Sequence, residues 1–303
     1  MGAELALLTD SLVRATPLII AGLAVALAFR GGVFNIGAEG QLLAGAIAAT
    51  AVSLAGAPVF GRAVVLIALI AASLAGALWA GIAAELRRRF HVLEIISTIM
   101  LNFIAIYFVS FLVRGPLQEP THIYPQTESL DTVARLPVLL PETRLHFGFV
   151  LAVGLAVFLS WIFRRTAMGF RIRATGASPL VARMAGRIDV SRTSFLVFLF
   201  SGALAGIAGG IEVTGVTFAL YENLSPGYGY TAIAVALIAG LNPLGVIASG
   251  IFFGVLETGA IALQREFGVP SSIASVIEAV FILAALTLTA VRGRQLLGRA
   301  SAS

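Results

Sequence analysis

The sequence predicts an all-α membrane protein, a polytopic bundle of about nine (eight to ten) transmembrane segments, some of them broken or re-entrant. Three observations carry that expectation. Of its 303 residues, 59% are apolar and only 12% charged, against roughly 25% charged in an average soluble domain. Such a chain cannot hide its apolar side chains in one soluble core and still cover its surface with polar groups. Nine apolar runs approach the ~20 residues that a helix needs to cross a bilayer. The basic residues, all 20 of them arginine, gather between particular runs.

The runs follow in order. The first, 15–29, meets Pro17, which lacks an N–H and crowds the turn before it, so an early interruption is expected. The second and third are 36–57 and 61–84, and the fourth is 92–113. The fifth and sixth are 146–163 and 193–213. The seventh, 228–241, is short and flanked by glycine, which suits a half-helix or a re-entrant piece. The last two are 244–264 and 270–290. Nine such spans leave only loops over, so residues 1–303 are expected to form one transmembrane domain. The start carries Glu4 and Asp10 where a signal peptide would be positively charged, so no cleaved leader is expected.

Arginine placement sets the orientation, because cytoplasmic loops hold the excess of positive charge. One topology puts Arg30, the Arg87–Arg89 cluster, the seven arginines between Arg164 and Arg192, and Arg292, Arg294 and Arg299 on one side. It leaves the N-terminus outside and the C-terminus in the cytoplasm. The formal net charge of +5 is then a topological signal and not a nucleic-acid footprint. The absence of lysine excludes a P-loop on this chain and a Schiff-base enzyme. The absence of cysteine excludes thiolate chemistry, and His91, His122 and His146 lack metal-ligand spacing, so no metal site is expected.

Two loops are long. The extracytoplasmic one, 114–145, contains five prolines, which argue against a long helix there. The cytoplasmic one, 164–192, is strongly basic and encodes a short helix of its own. Ser178 can act as N-cap, Pro179 suits the first helical position, and Gly186 supplies a left-handed stop. Two turns are unstable alone, and Leu180, Val181 and Met184 offer an apolar face to pack on something. Either the protein's own membrane face or a partner protein could take it.

Polar residues inside the runs are costly in hydrocarbon and must face a cavity, a neighbouring helix or water. Glu39 lies among Gly37 and Gly40, which permit a broken helix; it either braces the break or meets substrate. Glu94, Thr98 and Asn102 recur at every fourth residue and share one helix face with Ser97 beside them. That stripe suits interhelical hydrogen bonds, or a route for a hydroxyl-rich solute. Gly202, Gly206 and Gly210 form a small-residue packing face, and Gly250 and Gly254 read the same way. Glu212 is near the outer end of its span and can simply reach water. Glu257 and Glu278 sit deeper, with no arginine evident as their partner. Pro226-Gly227-Tyr228-Gly229-Tyr230 reads as an outer turn. These carboxylates keep open an ion-gradient-driven secondary transporter using Glu94, Glu257 and Glu278. An embedded enzyme is disfavoured for want of a clustered catalytic set.

The run Gly31-Gly32-Val33-Phe34-Asn35-Ile36-Gly37-Ala38-Glu39-Gly40-Gln41 resembles a signature of ATP-binding-cassette importer membrane subunits, in the branched-chain amino acid and simple-sugar permease family. Leu93-Glu94-Ile95-Ile96-Ser97-Thr98-Ile99-Met100-Leu101-Asn102 looks like the nucleoside-type branch. The loop from Arg171 to Ile188 is similar to that family's coupling loop, with Ala182 and Gly186 in place. The similarity runs from about residue 15 to 290. It implies a translocation subunit of the bacterial cytoplasmic (inner) membrane that moves nucleosides, or a related sugar, by alternating access and catalyses nothing itself. It implies a second permease, homologous or identical, two ATPase subunits that bind ATP and Mg²⁺, and an external substrate-binding protein or lipoprotein. No cofactor and no nucleic acid would bind this chain, and its surroundings are membrane lipid. The expected substrate pathway is Asn35, Glu39, Gln41, Glu94, Ser97, Thr98 and Asn102. The expected contacts to the ATPase are Ser178, Pro179, Leu180, Val181, Arg183, Met184 and Gly186.

Overall fold

The computed structural model describes residues 3–186 and 188–267, with single helical positions at 276, 279, 280 and 284. The last run, 270–290, lies outside the described residues apart from those positions. So do Glu278, Arg187, Arg292, Arg294 and Arg299.

The first helix, α1 (Ala3–Arg30), runs unbroken through Pro17. The expected interruption is absent because the helix is encased: every residue from Ala15 to Ala28 is buried. Neighbouring helices hold the turn in which Pro17 removes a bond, and the Thr16 hydroxyl adds one to the Leu12 carbonyl at 2.9 Å. α2 (Ala38–Phe60) and α3 (Val64–Phe90) follow. A 3₁₀ turn joins them at Gly61–Ala63, where Gly61 adopts a φ of 52° and folds the pair back on itself. His91, also left-handed, ends α3 and leads to α4 (Glu94–Arg114).

After the proline-rich loop come α5 (Gly148–Arg165), α6 (Ala167–Ala177), α7 (Pro179–Gly186) and α8 (Val190–Ile211). A π-helical turn, Glu212–Thr217, extends α8. Then come α9 (Tyr228–Ile238) and α10 (Pro243–Phe267). α6 lies within the basic loop, where no apolar run marks a helix. It starts where the Thr166 hydroxyl accepts the Gly169 N–H at 3.1 Å, an N-cap within the basic loop.

The architecture is all-α, and among the described residues 6 helical stretches are long and apolar enough to span a membrane; one of them, Ala38–Phe90, is the folded-back α2–α3 pair. Extended pairing among the described residues is limited to isolated bridges, Gln126 with Tyr221 and Val138 with His146. The chain is a multi-pass membrane protein. α1 sits at the centre, packed on α5, α8, α9 and α10. Around it, α2, α3 and α8 close up through small residues. Added Cβ atoms on Gly202 and Gly206 would strike Gly76 and Ala72 of α3, and one on Gly45 of α2 would strike Gly206. Gly210 faces Ala72 and Leu69, while Gly250 and Gly254 of α10 meet Ile19, Ser11 and Ala15 of α1. Large apolar side chains on the outer faces of α3 and α4, such as Leu66, Leu74, Leu78, Tyr107 and Phe111, are exposed, as lipid-facing residues would be.

The two ends differ. Arg30, Arg164 and Arg173 line one cavity, and the same end holds Arg87, paired with Glu94 at 3.1 Å. At the other end the long loop is pinned: the Thr127 N–H donates to the Leu220 carbonyl at 2.8 Å. There Arg114 bonds both oxygens of Glu222, at 2.6 and 2.8 Å.

Candidate functional site

α1 ends at Arg30, and the chain turns at Gly31 and Gly32 and re-enters the bundle as a non-helical segment, residues 33–36. It climbs back to the level of Ala24, because one serine touches both. The Ser201 hydroxyl donates to the Ala24 carbonyl at 2.8 Å and accepts from the Asn35 amide at 2.8 Å. Asn35 and Gln41 exchange two amide bonds, both 2.9 Å, and the Asn35 oxygen also takes the Gly37 N–H at 2.9 Å. All four bonds that an asparagine side chain can make are thereby used.

α2 starts inside the bundle, and its N-cap, Gly37, offers no side chain. The first turn of a helix leaves backbone N–H groups without partners. Asn102 of α4 supplies one: its oxygen accepts the Gly40 N–H at 2.8 Å. Its amide donates to the Ile36 carbonyl at 3.0 Å and to the Tyr230 hydroxyl at 3.3 Å. The Trp79 indole N–H, beside Gly40, is buried without a partner.

α9 also begins inside. Its eleven residues rise ~16 Å, about half of the ~30 Å hydrocarbon core, ending near Leu241, whose carbonyl accepts from Arg30 at 3.3 Å. The half-helix expected from residues 228–241 is therefore present. The Pro226–Tyr230 segment is not an outer turn, however. Tyr228 is buried, and the Gly229 N–H donates to the Glu39 carboxylate at 2.7 Å. Gly229 is required there, because a Cβ would strike the backbone of Glu39. Glu39 thus lies in the first turn of α2 and caps α9, so one buried carboxylate serves the positive ends of two helices.

The expected pathway residues divide between this centre and its flank. Asn35, Glu39, Gln41 and Asn102 come together at the break. Ser97 and Thr98 are buried beside it, their hydroxyls bonded within their own helix, Thr98 to the Glu94 carbonyl at 2.7 Å. Glu94 lies two turns away at the arginine-rich end, where it holds Arg87 and accepts the Phe34 N–H at 3.3 Å.

A second polar group lies toward the other end. Arg14 of α1 pairs with Glu257 of α10 at 2.9 Å, supplying the partner that the sequence did not disclose. Arg14 sits just before the first apolar run, so a search inside the spans passes it by. Glu212 does not reach water. It is buried in the π-helical turn, with its Oε2 free of hydrogen bonds and within electrostatic reach of Glu257 and Arg14.

The short helix in the basic loop has the expected boundaries. The Ser178 hydroxyl accepts the Val181 N–H at 3.4 Å, Pro179 opens α7 and Gly186 closes it. Leu180, Val181 and Met184 are 68%, 59% and 76% exposed, while Ala182 packs inward. Arg183 is exposed with them. α6 connects α7 to the break, since a Cβ on its Gly176 would strike the Arg30 carbonyl and the Gly32 nitrogen.

A family model described as branched-chain amino acid transport system / permease component matches residues 7–286. The chain is 40% identical over 292 residues to the glucose ABC transporter permease protein of Haloferax volcanii, covering 92% of this chain and 76% of that protein. Bacillus subtilis has two guanosine ABC transporter permease proteins that match. One is 36% identical, with 93% of this chain and 82% of that protein covered. The other is 29% identical, with 94% and 91% covered. No solved structure matches significantly.

Proposed function

This chain belongs to the permease components of branched-chain amino acid transport systems, and from that premise we propose that it is the gate of an ATP-binding-cassette importer for nucleosides. The membership sets aside the ion-coupled alternative. The gate lies in the bacterial cytoplasmic membrane with its arginine-rich end and C-terminus toward the cytoplasm and its N-terminus outside. The 36% relative, named for guanosine, supports the substrate class. The 40% relative, named for glucose, favours a sugar as second reading. Either solute presents several hydroxyl groups, which suit the amide, hydroxyl and indole groups around Asn102 and Trp79.

ATP and Mg²⁺ bind partner ATPase subunits, and an external receptor delivers the solute. The second permease is a non-identical homologue, because one bacterium holds two guanosine permeases that match this chain unequally. α7 docks on the ATPase through Leu180, Val181 and Met184. Movement of α7 passes through α6 to Gly32 and Arg30, hence to the break where α2 and α9 begin. The carrying observation is that α7 exposes its apolar face while α6 clamps the break.

The test is ATP-driven uptake of labelled guanosine and labelled glucose by the assembled transporter in proteoliposomes. Leu180→Glu and Met184→Glu should each abolish uptake without altering expression or thermal unfolding of the permease. Uptake at the normal rate by either variant overturns the docking role. Glucose uptake without guanosine uptake replaces the first substrate class by the second.

A further inference from the structure

A cavity of ≈ 370 Å³ opens at the arginine-rich end, lined by Arg30, Ser160, Phe163, Arg164, Arg173 and the turn from Ala239 to Pro243. Among the described residues, its lining has three arginines and no acidic residue. Among the described residues these three arginines form no ion pair, whereas Arg14, Arg87, Arg88, Arg89 and Arg114 each hold a glutamate. Arg30 and Arg173 are held by bonds that leave charge to spare. Arg30 donates to the Leu241 carbonyl and lies 5.9 Å from the Phe163 ring centroid. Arg173 donates to the Gly169 carbonyl at 3.4 Å. The first turn of α10, beginning at Pro243, adds the positive end of a helix.

Three unneutralised cations converging on one hollow repel each other, and an anion relieves that repulsion. Guanidinium groups match phosphate oxygens in planar, paired bonds. The hollow lies where the spanning helices α1 and α5 end and α10 begins, and the ends of spans are where a membrane helix meets headgroups. Beside it, α5 exposes Val157, Phe158 and Trp161, and α10 exposes Leu244. Val157 and Trp161 flank the Ser160–Arg164 edge of the cavity on the helix surface, so acyl chains can lie against α5 while a headgroup enters. At ~30 Å³ for each water-sized group, the volume admits roughly a dozen non-hydrogen atoms, the size of a phosphoglycerol.

We infer that this cavity binds the phosphate of an anionic membrane lipid, held by Arg30, Arg164 and Arg173. Basic pockets between helix ends recognise such headgroups through the same chemistry. The site is separate from the break at Glu39 and does not depend on which solute is transported.

Native mass spectrometry of the assembled transporter in detergent, titrated with phosphatidylglycerol or phosphatidylcholine, measures the retained lipid. Phosphatidylglycerol should be retained in preference to phosphatidylcholine. Arg164→Gln and Arg173→Gln should each weaken retention roughly ten-fold. Arg165→Gln, exposed and outside the cavity, should leave it unchanged. Displacement of the lipid by millimolar inorganic phosphate supports the phosphate as the recognised group. Inorganic phosphate binding that Arg164→Gln abolishes, without selective lipid retention, keeps the phosphate site and overturns the lipid as its source. Equal retention of the two lipids without phosphate binding, or an equal loss in Arg165→Gln, overturns the inference.

Discussion

At the break between α1 and α2, single side chains perform work that a helix normally does for itself. Asn102 meets three groups at once, on α2, on the non-helical segment before it and on α9. Asn102→Ala would leave the Gly40 N–H and the Ile36 carbonyl buried and unpaired, each costing about 1–3 kcal/mol. A thermal unfolding midpoint several degrees lower, measured in detergent, is the expected result. Glu39→Gln keeps an acceptor for the Gly229 N–H and should retain the fold, whereas Glu39→Ala should lose stability and transport together. Uptake and unfolding assays on the pair separate the bond from the charge. The sequence disclosed these residues but not their partners, because each bond joins positions 60 or more apart in the chain. A carboxylate in an apolar run announces that it needs a partner; it does not announce Gly229.

Among the elements, the packing face of α8 was the most legible, because Gly202, Gly206 and Gly210 recur at helical spacing and need no distant partner to be recognised; that this face meets α3 was not. Gly206→Val would wedge α8 from α3 and from Gly45 of α2. Overpacking of this kind costs typically about 1–3 kcal/mol, so reduced yield of folded permease in size-exclusion chromatography is expected. α6 and the π-helical turn were not legible. α6 is short, basic and glycine-containing, and packing on α5, α7, α8 and the α1 end adds to the Thr166 cap to hold it as a helix. The loop at the opposite end is set by carboxylates. Arg114 holds Glu222 below its ordinary value of 4.5. The Thr121 hydroxyl and the Tyr124 N–H do the same for Glu119, and the Val133 N–H does so for Asp131, ordinarily 3.8. Groups with depressed values stabilise the loop above the unfolded-state values, and that stability is lost as pH falls through the folded ones. Protease resistance of residues 114–145 should therefore be flat from neutral pH to about 5 and decline below about 4. Glu222→Gln should lower it at neutral pH.

Over the whole molecule, composition and arginine placement disclosed an all-α membrane bundle, and the arginine groups at Arg30, Arg87 and Arg164–Arg173 do gather at one end. The centre was harder to read, since a helix interrupted by Pro17 looked like a weak first span and is instead the most enclosed element of the fold. That enclosure bears on how the protein is made. α1 leaves the ribosome before every helix that packs around it, α5, α8, α9 and α10. At ~5–20 residues per second, nascent α1 waits on the order of ten seconds or longer for α8, α9 and α10. During that interval Thr9, Ser11 and Thr16 are served by carbonyls of their own helix, but Arg14 lacks Glu257, and a bare guanidinium near hydrocarbon calls for shielding by a chaperone or the insertion machinery until α10 arrives.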